Sequence, residues 1–512
     1  MVSQLRGSST LLPQLPASVR RNRFMTQRYN AGLRRTLCAL GAVVGCLLVH
    51  PGTCDAQIRF TGVNIAGAEF GEGSLPGTHG THYRYPMPEE VTYFMGKGMN
   101  TFRLPFRWER LQRAALDPLH GAGPGPTGEL DRIDAFVNQV TGLGGYVILE
   151  PHNFARYFPS GSGNFQESTN GRLGNDVPDA WFADFWGKVA DHYKNNQRVI
   201  FNLMNEPTAI DTDDWVSAAN AAIAAIRTTG AKNLIQVPGN RWTGAWTWTN
   251  SGGFVNGIAM GRSNADALLD IVDPLDNFVI EVHQYMDFNG SGQNESINNN
   301  DPMTGVIRVT AFTNWLRANG LKGYLGEFAV PNSLVGNGPS QIGDETIRNL
   351  LDYLEANDDV WTGWAWWAAG PWWSGGPGQP PGQTPYMFLL DPANLLTTPI
   401  DKPAMGVLQD YFAQELPGDY NLDGRVDAGD YVAWRNSLGQ TGTLLAADSN
   451  IDGIIDEADY LRWKTNYGAA LDDPGGGGLA IVPEPGAAML LAAGGAALGL
   501  MGRWRSRRST HK

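Results

Sequence analysis

Two glutamates in this chain stand where buried strands are expected to end. Glu206 follows the apolar run 199–204 and is followed at once by Pro207, which stops the strand. Glu327 closes a second apolar run, residues 323–328. Because a parallel barrel places its chemistry at the carboxyl ends of its strands, both carboxylates are expected at one rim. Two carboxylates beside a sugar ring can cleave a glycosidic bond, so the predicted chemistry is glycoside hydrolysis.

The elements around these glutamates follow a repeating pattern. Residues 57–412 alternate apolar runs with helical patterns, which predicts βαβ units and a parallel sheet. The eight candidate strands end near Asn64, Pro105, Glu150, Met204, Val237, Val282, Gly326 and Trp367. Helices are predicted at 88–97, 130–143, 179–195, 213–229, 305–319 and 341–357. The expected fold is therefore α/β, a (β/α)8 TIM barrel, with the glutamates on strands four and seven.

Composition and charge limit the function classes. The chain has 512 residues, which is more than one ordinary domain needs. Its net charge of -13 argues against nucleic acid or anionic membranes as partners and suits a neutral substrate. The 17 tryptophans exceed what a core usually requires, so some are expected in a binding cleft.

An export signal is predicted at residues 1–56. Basic Arg34 and Arg35 precede the apolar run 37–49, and small residues lead to Ala56. All three cysteines lie in this segment, so cleavage after Ala56 would leave a mature chain without cysteine. An uncleaved anchor helix is the alternative, although the run is short for a membrane span. We expect an exported protein, located extracellularly or at the cell surface or outer envelope.

The C-terminal end carries a second apolar segment. Residues 487–501 follow Val482-Pro483-Glu484-Pro485 and precede an arginine cluster. This order resembles the PEP-CTERM sorting signal, which implies transient membrane association of residues 482–512 through the tail, followed by processing. A plain C-terminal anchor remains the alternative. Residues 413–418 and the glycine-rich 473–481 are predicted linkers.

A small module at 419–472 contains an internal duplication with a period of 29 residues. Each copy has oxygen-bearing side chains at loop positions 1, 3, 5, 9 and 12, glycine at position 6, and a backbone carbonyl at position 7, which is the pattern of a calcium loop. The predicted ligands are Asp419, Asn421, Asp423, Arg425 (backbone), Asp427 and Asp430, and then Asp448, Asn450, Asp452, Ile454 (backbone), Asp456 and Asp459. A pair of acidic, calcium-free loops is the alternative.

This duplicated loop–helix pattern resembles a type I dockerin, in which aspartate at position 12 is usual. The resemblance implies two Ca²⁺ ions in the module and a cohesin-like protein as partner. Attachment to a cell surface is the alternative role for the module.

The barrel portion resembles glycoside hydrolase family 5. The resemblance rests on Gly62-Val63-Asn64, Phe102-Arg103-Leu104-Pro105, Pro151-His152-Asn153, Asn205-Glu206-Pro207, His283-Gln284-Tyr285, Gly326-Glu327-Phe328 and 367–373 (WAAGPWW). It implies that Glu206 is the acid/base and Glu327 the nucleophile of a retaining enzyme that needs no cofactor for catalysis. Retention requires the two carboxyl groups to lie roughly 5–5.5 Å apart.

The resemblance also implies roles for nine supporting residues. Arg103 and Tyr285 would hold the nucleophile, His283 would lie beside the acid/base, and Asn205 would bind the sugar 2-hydroxyl. The remaining five, His152, Asn153, Trp367, Trp372 and Trp373, would line the sugar-binding cleft, with Trp367 as the stacking platform.

The expected function is that of an exported endo-β-1,4-glucanase acting on cellulose or related β-1,4-glucans. An endo-β-1,4-mannanase or another β-glycanase of the same family is an alternative. A non-catalytic carbohydrate-binding or scaffold protein is an alternative of another class.

Overall fold

The computed structural model describes residues 58–121, 128–159, 168–336, 341–380, 384–413, 416–421, 425–442, 445–450 and 452–470. The predicted export signal, the glycine-rich linker and the sorting tail lie outside the described residues, as does Asp423 of the first calcium loop.

A parallel barrel forms the larger part of the described chain. The described residues contain ten strands: β1 Phe60–Ile65, β2 Thr101–Phe106, β3 Tyr146–Pro151, β4 Val199–Asn202, β5 Ile235–Pro238, β6 Phe254–Val255, β7 Ile258–Ala259, β8 Phe278–His283, β9 Gly323–Phe328 and β10 Trp361–Ala369. Eight of them close in the order β1-β10-β9-β8-β5-β4-β3-β2, and β6 and β7 form the antiparallel hairpin. Every barrel strand is buried along its whole length, as expected for a sheet enclosed by helices. The predicted TIM barrel is confirmed.

Helices surround the barrel and build the small module. They are α1 Pro88–Lys97, α2 Trp108–Leu111, α3 Glu129–Gly142, α4 Asp179–Tyr193, α5 Thr212–Thr228, α6 Asn264–Ala267, α7 Thr304–Asn319, α8 Ile342–Glu355, α9 Pro403–Leu408, α10 Ala428–Ser437 and α11 Glu457–Asn466. Local chemistry fixes several of their starts: Pro88 opens α1, and the Asp211 side chain accepts from the Asp213 amide at the start of α5. The helices of the barrel portion pack against the outer faces of the strands, whereas α10 and α11 form the core of the small module.

The interior of the barrel is filled by side chains. Phe60, Tyr146, Ile148, Ile200, Leu234, Val279, Tyr324 and Ala365 form one buried cluster. Such a filled interior is a packed core and not a channel, so a ligand can enter only at an end of the barrel.

The small module has two related halves. The Trp434 indole donates to the Asp456 carbonyl at 2.8 Å, and the Trp463 indole donates to the Asp427 carbonyl at 2.7 Å. Each half therefore donates a hydrogen bond to the calcium-loop backbone of the other, which explains why the duplicated sequence forms one domain. The module touches the barrel through an ion pair of 3.1 Å between Lys232 Nζ and Asp452 Oδ2.

Within the described ranges, no helix combines the length and the apolar character needed to cross a membrane.

Candidate active site

Glu206 and Glu327 converge at one rim of the barrel. Glu206 lies just beyond β4, in a left-handed backbone conformation with φ of 41°, and Glu327 lies in β9. One carboxylate oxygen from each glutamate and one ring nitrogen of His283 all lie within 4.8 Å of one another. A left-handed glutamate is strained, and such strain is typical of functional positions. The separation between the two carboxylates suits retention and leaves little room for the water of an inverting enzyme.

Donors on two sides hold the carboxylate of Glu327. Arg103 Nη1 donates to its Oε1 at 2.8 Å, and the Tyr285 hydroxyl donates to its Oε2 at 2.7 Å. His283 Nδ1 lies 3.4 Å from the same Oε2. Charge-assisted bonds of this kind fix both oxygens in space, as attack on one carbon atom requires.

Arg103 connects several strand ends beneath this carboxylate. Its fully buried guanidinium donates to Asn64 Oδ1 at 2.7 Å and to Asn205 Oδ1 at 2.9 Å, and lies 3.4 Å from Glu150 Oε2. The flat fork of an arginine can make all these contacts at once, which a lysine ammonium could not. Arg103 therefore sets the relative positions of Glu327 and the loop that carries Glu206.

The environment of Glu206 favours its protonated form. Burial raises the pKa of Glu206 to about 7, and the hydrogen bond and charge of His283 only partly oppose this effect. His283 Nδ1 lies 2.7 Å from Glu206 Oε1. A carboxyl group that still holds its proton near neutrality can serve as a general acid.

His152 contrasts with His283. Burial and the nearby positive charge of Arg107 hold the pKa of His152 well below its usual range, so its ring is neutral. Its Nδ1 lies 3.1 Å from Glu150 Oε2, and its Nε2 accepts from Asn205 Nδ2 at 3.1 Å. That bond uses one of the two amide hydrogens of Asn205 and leaves the second one for another acceptor.

Aromatic side chains form one wall beside these groups. The Trp367 ring stacks on His152 with centroids 5.7 Å apart and lies edge-on to Trp373 at 6.0 Å. Trp373 itself stacks on Tyr386 at 4.0 Å, and Phe70 joins it to Trp372, with centroids 4.8 Å from Trp373 and 6.3 Å from Trp372. Sugar rings pack well on such flat apolar faces.

Asn153 does not join this group. Its side-chain oxygen accepts from the Trp108 amide at 3.0 Å, and its nitrogen donates to Glu109 Oε2 at 2.8 Å and to the Arg156 carbonyl at 3.1 Å. It is fully buried, so it ties α2 to the loop after β3 and does not line the cleft as the sequence suggested.

In the small module, carboxylates gather where calcium ligands were predicted. Asp430 and Asp459 each accept backbone amides from their own loop, and Asp448 accepts the Asp452 amide at 3.1 Å and the Gly453 amide at 2.8 Å. Burial raises the pKa of Asp430 to about 6 and that of Asp448 to about 7, with nearby carboxylates adding to both. Gly453 at position 6 has φ of 76°, which a glycine adopts without strain. Buried carboxylates that raise one another's pKa in this way fit a divalent cation bound by oxygen.

Residues 63–370, most of the barrel, match the family model for cellulase (glycosyl hydrolase family 5). The chain belongs to glycosyl hydrolase family 5. Like other members, this family 5 enzyme is a retaining glycoside hydrolase. A second match, to the type I dockerin domain, spans residues 417–466.

Relatives of the family 5 barrel share most of their length with it. An endo-β-1,4-glucanase A from Emericella nidulans is 38% identical over 361 residues, which is 70% of this chain and 94% of the relative. A solved endo-β-1,4-glucanase from Xanthomonas axonopodis pv. citri is 40% identical, with a TM-score of 0.58 over 69% of this chain and 98% of that one. The Pseudomonas stutzeri endoglucanase Cel5A, solved with cellobiose, is 30% identical, with a TM-score of 0.55 over 70% of this chain and 96% of that one.

Two buried glutamates of this family 5 site were not predicted as site residues: Glu150 was expected only to end a strand, and Glu281 was not singled out. Glu150 and Glu281 each precede a site histidine by two residues on a strand, and each contacts its ring. Because side chains two apart on a strand share a face, the Glu-x-His spacing was a signal that could have revealed both.

Proposed function

We propose that Glu206 and Glu327 cleave β-1,4-glucan in two displacements. Glu327 attacks the anomeric carbon while the Glu206 carboxyl donates its proton to the departing glycosidic oxygen. The Glu206 carboxylate then takes a proton from a water molecule, whose oxygen attacks the same carbon and displaces Glu327. This proposal rests on the approach of the two carboxylates to within 4.8 Å. Their surroundings differ, because burial raises the pKa of Glu206 while Arg103 and Tyr285 donate to Glu327.

The chain is an endo-β-1,4-glucanase, consistent with its family and its relatives. For its substrate contacts, we assign the free amide hydrogen of Asn205 to the sugar 2-hydroxyl. His152 and Trp367 bind the ring beside the cleaved bond, and Trp373 and Trp372 extend the same wall. This assignment rests on the stacking of Trp367 with His152, whose ring accepts from Asn205.

Hydrolysis assays and stereochemistry test the proposal together. The wild type is assayed on carboxymethylcellulose, mannan and xylan beside the variants Glu206→Gln and Glu327→Gln and the exposed control Glu345→Gln. In a separate experiment, NMR follows which anomer is released first from a cello-oligosaccharide. We expect β-anomer from β-glucan, with loss of at least about a thousandfold in both site variants and none in the control. Undiminished activity in either site variant, or oligosaccharide binding without release of reducing ends, would contradict the proposal. The latter result would favour a carbohydrate-binding protein.

The dockerin domain binds calcium as its family does, and we assign two sites to it. In the described residues, Asp419, Asn421, Asp427 and Asp430, with the Arg425 carbonyl, serve the first. Asp448, Asn450, Asp452, Asp456 and Asp459, with the Ile454 carbonyl, serve the second. Dockerins bind cohesins, so a cohesin-like protein is the partner to seek. Calcium calorimetry should give two binding events per chain, and a single event would remove one site.

The terminal segments complete the proposal. We assign residues 1–56 to an export signal, 57–412 to the catalytic domain, 419–472 to the dockerin domain, and 482–512 to a sorting tail with transient membrane association. The order of the motif, the apolar run and the arginine cluster supports the last assignment. Mass spectrometry of the exported protein should give a mature chain that begins at Gln57 and lacks residues after Pro485. An intact apolar tail would favour a permanent anchor.

A further inference from the structure

His283 lies between two carboxylates, one at each ring nitrogen. Its Nδ1 is 2.7 Å from Glu206 Oε1, and its Nε2 is 2.7 Å from Glu281 Oε1. An imidazole donates from both nitrogens only in its cationic form. The geometry therefore favours an imidazolium that bridges the proposed acid and a second glutamate behind it.

Glu281 is held in this position by the strands around it. It lies in β8, fully buried, on the same strand face as His283. A Cβ atom on Gly326, the residue before Glu327, would overlap Glu281 Oε1 and its carboxyl carbon. The absence of a side chain at Gly326 thus provides the space that Glu281 occupies beside the nucleophile strand.

We propose that Glu281 is a positioning residue that keeps His283 cationic, so that this buried pair sets the pH at which Glu206 gives up its proton. The proposal deepens the proposed function and rests on it. Glu281 lies beyond the imidazole ring and acts only through His283.

The charges around His283 support this role. Burial lowers the pKa of His283, but the charges of Glu281 and Glu327, with the hydrogen bonds that His283 donates to Glu206 and Glu281, outweigh burial and raise the pKa to about 10. Glu150 lies near enough to interact with His283, and His283 in turn opposes a cationic His152. Arg103, which contacts Glu327, and Arg107, whose charge acts on Glu150 and His152, are further cations near these groups.

His152 provides an internal comparison. It too follows a glutamate by two residues and contacts it, but its second nitrogen meets the neutral amide of Asn205, and Arg107 donates to its backbone carbonyl. His152 is neutral, so the Glu-x-His spacing alone does not create a cation. The carboxylates at both nitrogens of His283 distinguish the two histidines.

The effect on Glu206 has a definite sign. An imidazolium in contact with Glu206 favours its carboxylate form and limits how far burial raises the pKa of Glu206. If residue 281 is neutral, His283 loses its proton and its positive charge. Glu206 then lacks the cation that lies nearest to it. The negative charge of Glu281 is lost as well, but it lies farther away, so the net effect is to raise the pKa of Glu206.

Glu281→Gln tests the proposal, with Glu345→Gln as a control that removes an exposed charge from α8. We expect the alkaline limb of the kcat/KM profile to move up by about one pH unit in Glu281→Gln, and not in the control. If kcat/KM of Glu281→Gln is lower at every pH but its alkaline limb stays at the wild-type pH, then Glu281 only supports the structure. That result would overturn the proposal.

A second measurement does not depend on the variant folding or on catalysis. Nitrogen NMR of ¹⁵N-histidine-labelled wild-type protein should find both ring nitrogens of His283 protonated at pH 7.5. A neutral His283 in the wild type at this pH would refute the inference even if Glu206 proves to be the acid. A cationic His283 with a fully active Glu206→Gln variant would instead refute the proposed function.

Discussion

Tyr285→Phe removes one hydroxyl group and keeps the ring packing around it. The Tyr285 ring stacks on Phe388 with centroids 5.9 Å apart, and a Cβ atom on Gly292 would lie 2.7 Å from it, so a phenylalanine ring fits the same space. The variant loses the hydroxyl that donates to Glu327 Oε2 at 2.7 Å, while the Arg103 bond to Oε1 remains. Hydrogen bonds to charged groups are worth about 1.5–3 kcal/mol, which corresponds to roughly a tenfold to a hundredfold loss in rate.

The second displacement should suffer most from this change. In the proposed mechanism, Glu327 departs from the sugar as a carboxylate, and the Tyr285 hydroxyl would stabilise that charge as it forms. With an aryl cellobioside that carries a good leaving group, stopped-flow absorbance should record a burst in the variant, followed by slow turnover. The free energy of unfolding of the variant should stay within about 1 kcal/mol of the wild-type value, because only a polar contact is lost. A loss below threefold with no burst would refute the reasoning that this hydroxyl supports the nucleophile.

Three further predictions follow from the site and from the dockerin domain. Because burial raises the pKa of Glu206 to about 7, wild-type kcat/KM on a cello-oligosaccharide should fall as the pH rises through about 7, and an alkaline limb above pH 9 would contradict the assignment. Trp367→Ala should weaken cello-oligosaccharide binding in calorimetry roughly tenfold, since a stacking face beside His152 is lost; an unchanged affinity would place the sugar elsewhere. Calcium removal by a chelator should lower the unfolding temperature of the dockerin domain in scanning calorimetry, because Asp430 and Asp448 sit among other carboxylates; the barrel transition should not move, and an unchanged scan would argue against bound calcium.

The barrel could be predicted because its strands are short, apolar and regularly spaced. Glu206 and Glu327 could be located from the strand ends alone, since parallel strands bring their carboxyl ends to one rim. The end of β4 was predicted near Met204, but the strand ends at Asn202, where the chain begins the turn that leads to the left-handed Glu206. Boundaries of this kind depend on turn geometry, which periodicity does not encode.

Contacts between distant side chains were harder to predict. The proximity of Glu281 to Gly326 depends on the register of β8 against β9, which shifts between Val282 and His283. Asn153 was expected in the cleft because it adjoins His152. Its side chain is instead buried, where it accepts a hydrogen bond from the Trp108 amide and donates one to Glu109. Adjacent residues on a strand end point in opposite directions, and the sequence does not tell which tertiary partner each one meets.

Covalent trapping tests the central claim most directly. A 2-deoxy-2-fluoro-cellobioside with a good leaving group slows the second displacement and leaves the sugar attached to the nucleophile, which peptide mass spectrometry then identifies. The account predicts one label per chain on Glu327, and none in Glu327→Gln. A label on Glu206 or Glu281, or turnover without any covalent intermediate, would contradict it.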